Sequence, residues 1–183
     1  ENYVTPEMCV PEKPLRVPWE SCLTLGADFN YAYGDHYKSP RELVNLLVNI
    51  VAKGGNMALN VSPQPDGRIP VEAWESLRGL GAWMQTYGEA IYGTRICAPY
   101  QSGNLAFTQK GDTVYAIRLY PEEGEAVEEE LLIPYQGKIR GISMVDTKKA
   151  VEWQITEEGI RVVIPKEYRE GDTPIAIVWK IER

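Results

Sequence analysis

A chain of 183 residues, 44% hydrophobic and 25% charged, has the material for one large domain or two small ones with a buried core, which excludes a disordered chain. Its formal net charge of −7, from 19 basic and 26 acidic residues, argues against nucleic-acid binding, which needs a clustered basic face, and is easier to reconcile with an uncharged or cationic ligand. Three cysteines at unpatterned spacings and a single histidine, His36, assemble neither a metal motif nor a disulfide framework, and no cofactor is indicated.

From Glu1 to about Pro18, four prolines and many charges prevent regular structure and predict a long loop, of the kind that often serves a site. The chain opens on Glu1 without a basic-then-apolar leader, which points to an upstream piece or a fragment and leaves the compartment unassigned. Cys22 to Leu25 reads as a short buried strand, followed by an aromatic segment with Phe29, Tyr31, Tyr33 and Tyr37. Ser39, Pro40 and Glu42 then supply an N-cap, a first-turn proline and a capping-box glutamate. Leu43, Leu46, Leu47, Ile50 and Val51 follow a helical stripe that Gly54 and Gly55 end. This apolar run is interrupted by Asn45 and Asn49 and is too short to span a bilayer, so a soluble protein without a membrane segment is expected.

Met57 to Val61 has the pattern of a fully buried strand, and Asp66-Gly67 marks the tip of a turn-rich loop that ends at Pro70. A second helix starts there, with Val71, Trp74, Leu77, Trp83 and Met84 as its apolar face and Gly88 as its stop; Trp74 and Trp83 are expected in the core. Strand, helix, strand, helix is the pattern of βα units with a parallel sheet. After about Gly93 the sequence changes to short β-branched and aromatic stretches between turn signals. Val114 to Leu119, Leu131 to Tyr135, Ile160 to Ile164 and Ile175 to Ile181 are the clearest strands of an antiparallel sandwich. The acidic run from Glu122 to Glu130 reads as a solvated loop. The expected class is α/β followed by all-β, with domains at 1–93 and 94–183.

Six segments occur in an order that carries a resemblance: Tyr3-Val4-Thr5-Pro6-Glu7; Pro18-Trp19-Glu20-Ser21-Cys22-Leu23-Thr24; Tyr37-Lys38-Ser39-Pro40; Lys53-Gly54-Gly55-Asn56 with Leu59-Asn60; Pro65-Asp66-Gly67-Arg68-Ile69-Pro70; and Gly88-Glu89-Ala90-Ile91-Tyr92. Over the first half of the chain this resembles the α-L-fucosidase family of retaining glycoside hydrolases. The resemblance implies a (β/α)8-like, TIM-like barrel followed by a C-terminal β-sandwich, with this chain holding only the last βα units of the barrel. The strands that carry the family's nucleophilic aspartate are then outside the chain, which by itself is expected to be inactive.

A retaining glycosidase uses two carboxyl groups roughly 5 Å apart, one attacking the sugar and one protonating the leaving oxygen and then activating water. Only the second is available here. Glu7, in a proline-held loop, is the first choice for acid/base, at the position where the resemblance implies it in many members. Glu20 is the rival, as acid/base or as a pocket carboxylate, and Trp19 beside it could desolvate it. Phe29 stands where relatives often have tryptophan; its ring offers an apolar wall for the deoxy sugar's C6 methyl group, with core packing as the alternative. Trp19 is the other aromatic candidate for contact with substrate.

Gly54, Gly55 and Asn56 lack the following helix N-terminus of a phosphate cradle and read as a helix end with a tight turn. The partners implied are a fucosylated glycan or glycoside and the N-terminal portion of the same enzyme, because the strand at Met57 to Val61 would otherwise present an edge to water. The alternative is a non-catalytic module whose sandwich binds carbohydrate or a partner, with Tyr100, Tyr115, Tyr120 and Tyr168 as the aromatic candidates.

Overall fold

The computed structural model describes residues 2–183, and the chain divides into two compact units, Glu1–Gln85 and Thr86–Arg183. In the first, β1 (Glu20–Thr24) and β2 (Asn56–Asn60) pair in parallel across helix α1 (Pro40–Ala52), and helix α2 (Val71–Tyr87) follows β2. The helix α1 starts where its sequence predicts. Ser39 Oγ accepts from Glu42 N at 3.2 Å while Glu42 Oε2 accepts from Ser39 N at 2.7 Å, a closed capping box. Those bonds outweigh the small burial cost of Glu42 and hold its carboxyl below the usual range.

Trp19, Leu23 and Ile50 form one small core with Val4, Val10, Leu46, Met57 and Leu59 around it. Leu25, Leu43 and Ala73 form another with Leu77, Val61 and Ile69. A side chain at Gly55 would collide with the Trp19 indole, so this glycine gives Trp19 clearance at the end of α1.

Two expectations are corrected here. β2 is half-buried, since among the described residues it is paired only with β1 and has no strand on its other edge. In α2 the buried residues are Ala73, Ser76 and Trp83, whereas Val71 and Trp74 are 69% and 45% exposed, and Trp74 stacks under Arg78 at 5.7 Å. The helical spacing was read correctly, but the packed face lies a position or two around the helix.

The second unit is an antiparallel sandwich. β3 (Arg95–Ser102), β4 (Leu105–Lys110), β5 (Thr113–Leu119), β10 (Ala176–Glu182) and β7 (Gly141–Met144) form one sheet in that order. β6 (Glu130–Ile133), β9 (Gly159–Val163) and β8 (Trp153–Thr156) form the other. Phe107, Ala116, Ile142 and Trp179 from the first sheet and Ile133, Ile160 and Val162 from the second share one core. Two-residue turns at Gly103-Asn104 and Gly111-Asp112 close the hairpins of β3, β4 and β5, both glycines taking a positive φ.

Three sequence expectations about the sandwich change. Tyr115 and Tyr120 are buried, Tyr168 donates to Asp146 at 2.7 Å, and Tyr100 is half-buried, so these four tyrosines are not the exposed aromatic candidates expected. The acidic run is partly tied down. Arg118, 11% exposed, pairs with Glu128 at 2.6 Å and Glu125 at 3.1 Å, and Glu128 also accepts from Tyr120. The strands β3, β4, β7 and β8 add to the four clearest in the sequence; β3 carries a bulge and a proline, β4 ends in the polar Gln109 and Lys110, and β7 and β8 are short.

Among the described residues no helix is long and apolar enough to cross a membrane, and no group of three or more His, Cys, Asp or Glu residues could hold a metal ion.

Candidate active site

Residues 4–8 run parallel to β1. Val4 bridges Trp19 and Glu7 bridges Cys22, through Val4 N to Pro18 O, Glu20 N to Val4 O, Cys22 N to Pro6 O and Met8 N to Cys22 O, at 2.9 to 3.1 Å. Further along, Ser21 Oγ donates to Cys9 O at 2.8 Å and Lys53 Nζ donates to Pro11 O at 2.8 Å. Lys53 is buried, which pushes its ammonium below the usual lysine range against the opposing charge of Glu12. The proline-rich segment is thus a loop fastened by these six hydrogen bonds to β1, to Pro18 just before it and to Lys53 at the end of α1.

Alternation along β1 sorts the candidates onto two faces. Trp19 and Leu23 point toward α1; Glu20, Cys22 and Thr24 point away from it, together with Asn56, Ala58 and Asn60 opposite them on β2. Bridge partners share a face, so Glu7 belongs with Cys22 on the side turned from α1. Glu7 and Glu20 therefore stand on one face at different levels: Glu20 opens β1 beside Asn56, while Glu7 lies one pleat closer to the strand's C-terminal end. Glu7 is exposed and Glu20 half-buried. Met8, next to Glu7, has a φ of 54°, and its sulfur lies 3.7 Å from the Thr24 hydroxyl.

Phe29 sits in the loop that follows β1, whose neck is closed on every side. Lys38 N donates to Leu25 O at 2.9 Å, Lys38 Nζ to Thr24 O at 2.7 Å, and the Thr24 hydroxyl to Gly26 O at 2.7 Å. Asp35 accepts from Ala27 N and His36 N, and its carboxylate occupies the space a side chain at Gly26 would need. At the far end of the loop the Phe29 carbonyl accepts from Ser62 Oγ at 2.6 Å and Asn60 Nδ2 at 3.0 Å, both at the C-terminal end of β2. The Phe29 ring is half-buried.

Trp19 goes elsewhere. With 1% of its surface exposed and its ring packed against Ile50 and over Gly55, it offers no face to a ligand in this chain and takes the core role. His36 is exposed and has no place in the constellation. The supporting residues Thr24, Asp35, Lys38, Asn60 and Ser62 were not singled out from sequence for these roles, since isolated polar residues in a loop carry no periodic signal.

A family model for alpha-L-fucosidase matches residues 1–89. An alpha-L-fucosidase of Branchiostoma floridae is 32% identical over 160 residues, covering 80% of this chain and 34% of the relative. The tissue alpha-L-fucosidase of Homo sapiens is 28% identical over 183 residues, covering 93% and 38%. Among solved structures, alpha-L-fucosidase isoenzyme 1 from Paenibacillus thiaminolyticus superposes with a TM-score of 0.87 at 28% identity, over 99% of this chain and 45% of that one. The Thermotoga maritima alpha-fucosidase gives 0.83 at 29%, over 99% and 42%. The chain thus spans between about a third and a half of the length of these relatives. Residues 1–89 match the α-L-fucosidase family, and the whole chain corresponds to the C-terminal part of the relatives it is similar to.

Proposed function

We propose that this chain supplies the acid/base loop, an aromatic wall and the C-terminal sandwich of an α-L-fucosidase, acting by the retaining double displacement with the nucleophile outside the chain. In this reading β1, α1, β2 and α2 are the last βα units of a (β/α)8-like barrel, with 1–93 as barrel and 94–183 as sandwich domain. The unpaired edge of β2 and the exposed Val71 and Trp74 of α2 are then surfaces that the N-terminal portion of the same enzyme covers.

The observation that carries it is the bridge of Glu7 to Cys22, on the face of β1 turned from α1. Catalytic groups of parallel α/β folds stand at the C-terminal ends of strands, whereas the opposite ends serve stability. Glu7 lies nearer the C-terminal end than Glu20, which supports Glu7 as the acid/base and Glu20 as a pocket carboxylate. As acid, Glu7 delivers its proton to the glycosidic oxygen as the bond to the sugar breaks; as base, it takes a proton from the water that releases the sugar from the nucleophile. Phe29, held by its carbonyl, presents its ring to the sugar's methyl group. Trp19 supports the site from beneath by packing the strand that carries Glu20.

The test is an aryl α-L-fucoside assay on the native protein, with intact mass and with the first-formed anomer read by NMR. Release of α-fucose first, by a protein longer than this chain or joined by a second polypeptide, is the expected result. Full activity of the 183-residue chain alone would place a nucleophile within it and overturn the division of roles.

A further inference from the structure

The loop after β1 and the turn before α2 enclose a cavity of about 240 Å³ lined by Tyr31, Tyr33, Tyr37, Asp35, Gln64 and Glu72. Of these residues only Asp35 also supports the candidate site, by closing the neck of the Phe29 loop. The side chains of Gln64 and Glu72 and the hydroxyls of the three tyrosines make no hydrogen bond with other described residues, so their capacity is unspent. Both rims are set in advance. The first is closed by the Lys38 and Asp35 bonds, and the second by Gln64 N to Arg68 O, Gly67 N to Gln64 O and the Arg68–Asp66 ion pair at 2.5 Å.

Tyr33 is 95% exposed at the mouth of this cavity, which leaves its ring face open to a ligand in the space. Aromatic faces beside carboxylate and amide side chains are what a sugar ring needs, since its C–H face stacks and its vicinal hydroxyls each find a planar acceptor or donor. The volume is below the roughly 300–1,000 Å³ of drug-sized sites and suits one ring. Two carboxylates, Asp35 and Glu72, face the space with no cation lining it, so an anionic sugar is repelled. Burial and then the charge of Asp35, followed by Tyr31 and Glu72, raise the Tyr37 hydroxyl above its ordinary range, so that it stays a proton donor there.

We infer that this cavity is a subsite for a neutral sugar unit of the glycan on the leaving-group side, stacking on Tyr33 and hydrogen-bonded by Gln64, Asp35 and Glu72. The inference rests on the fucosidase reading for the substrate it serves, and on the cavity alone for the ligand class.

The experiment has two arms on the active protein and its Tyr33→Ala and Glu72→Gln variants. In the first, kcat/KM is measured for an aryl α-L-fucoside and for a fucosylated lactose trisaccharide. The variants are expected to lower the trisaccharide value about tenfold more than the aryl value, with the difference in KM. In the second, lactose and a sulfated lactose are followed by saturation-transfer NMR. Lactose is expected to contact the wild type, to lose contact in Tyr33→Ala, and to be bound in preference to the sulfated sugar until Glu72→Gln narrows the gap. Parallel losses on both substrates, or no transfer to lactose in the wild type, would overturn the subsite. If the aryl fucoside is not hydrolysed at all, the enzyme reading fails and the lactose arm decides the subsite by itself.

Discussion

Glu7 and Cys22 form a parallel bridge, with Met8 N donating to Cys22 O and Cys22 N donating to Pro6 O, both at 2.9 Å. A glutamate in an irregular, proline-rich segment thereby has its backbone fixed to about the precision of a strand residue while its side chain stays exposed. A proton donor that must meet a substrate oxygen needs both properties.

If Glu7 is the acid/base, Glu7→Gln lowers kcat on an oligosaccharide fucoside by about 10²–10⁴-fold. Aryl fucosides with good leaving groups need less protonation and are affected less in the first step. Azide, which attacks without a general base, is expected to restore turnover of these substrates as a fucosyl azide. Glu20→Gln, at the N-terminal end of β1, is expected to cost less than about tenfold and to show no azide rescue. The reverse ranking would exchange the two roles.

The carbonyl clamp on Phe29 gives a second test. Ser62→Ala removes the 2.6 Å bond and leaves Asn60 as the only donor to the Phe29 carbonyl among the described residues. KM for the fucoside should rise several-fold with little change in kcat, and Phe29→Ala should raise it further, by the loss of about 1.5–3 kcal/mol of apolar contact at most. A fall in kcat with KM unchanged would mean that Phe29 is not a wall for the sugar.

Gly55→Ala places a methyl group inside the Trp19 indole. Overpacking of this kind costs about 1–3 kcal/mol, and thermal unfolding should shift down by several degrees. An unshifted Tm would show that the end of α1 can retreat from Trp19 freely.

Ser39→Ala removes the capping bond to Glu42 N and is expected to destabilise by about 1 kcal/mol. Chemical denaturation reads this as a lower midpoint at constant slope.

In the sandwich, burial acts to raise the Glu89 carboxyl, but hydrogen bonds from Lys148, Lys180 and Tyr115 outweigh it and hold the group below 4.5. A folded value below the unfolded one means that Glu89 contributes stability above about pH 4.5 and loses that contribution as pH falls through the folded value. Burial and the neighbouring Glu89 push the Tyr115 phenol up to about 12, so this contact keeps its donor at neutral pH. Glu89→Gln should flatten the loss of stability with pH on the acid side. An identical acid-side slope in the wild type and the variant would exclude the linkage.

Local chemistry was legible wherever neighbours in sequence are neighbours in space. The capping box of Ser39 and Glu42, the Gly111-Asp112 hairpin and the four strands picked out in the sandwich all follow from patterns of two to four residues. The ordered segments from Tyr3 to Tyr92 were also sufficient, as sequence alone, to indicate the family. The burial of Trp19, the exposure of Trp74 and the anchoring of Glu125 and Glu128 by Arg118 were decided elsewhere in the chain. A helical stripe states that one face packs, but which residues are covered depends on the elements laid against it; α2 has Leu25 and Leu43 over Ala73, and its outer side is bare. The same holds for the site. Sequence named Glu7, Glu20 and Phe29, while the level of each carboxylate on β1 and the grip of Asn60 and Ser62 on Phe29 come from a parallel register between segments 15 to 36 residues apart, and a register is a property of the folded sheet.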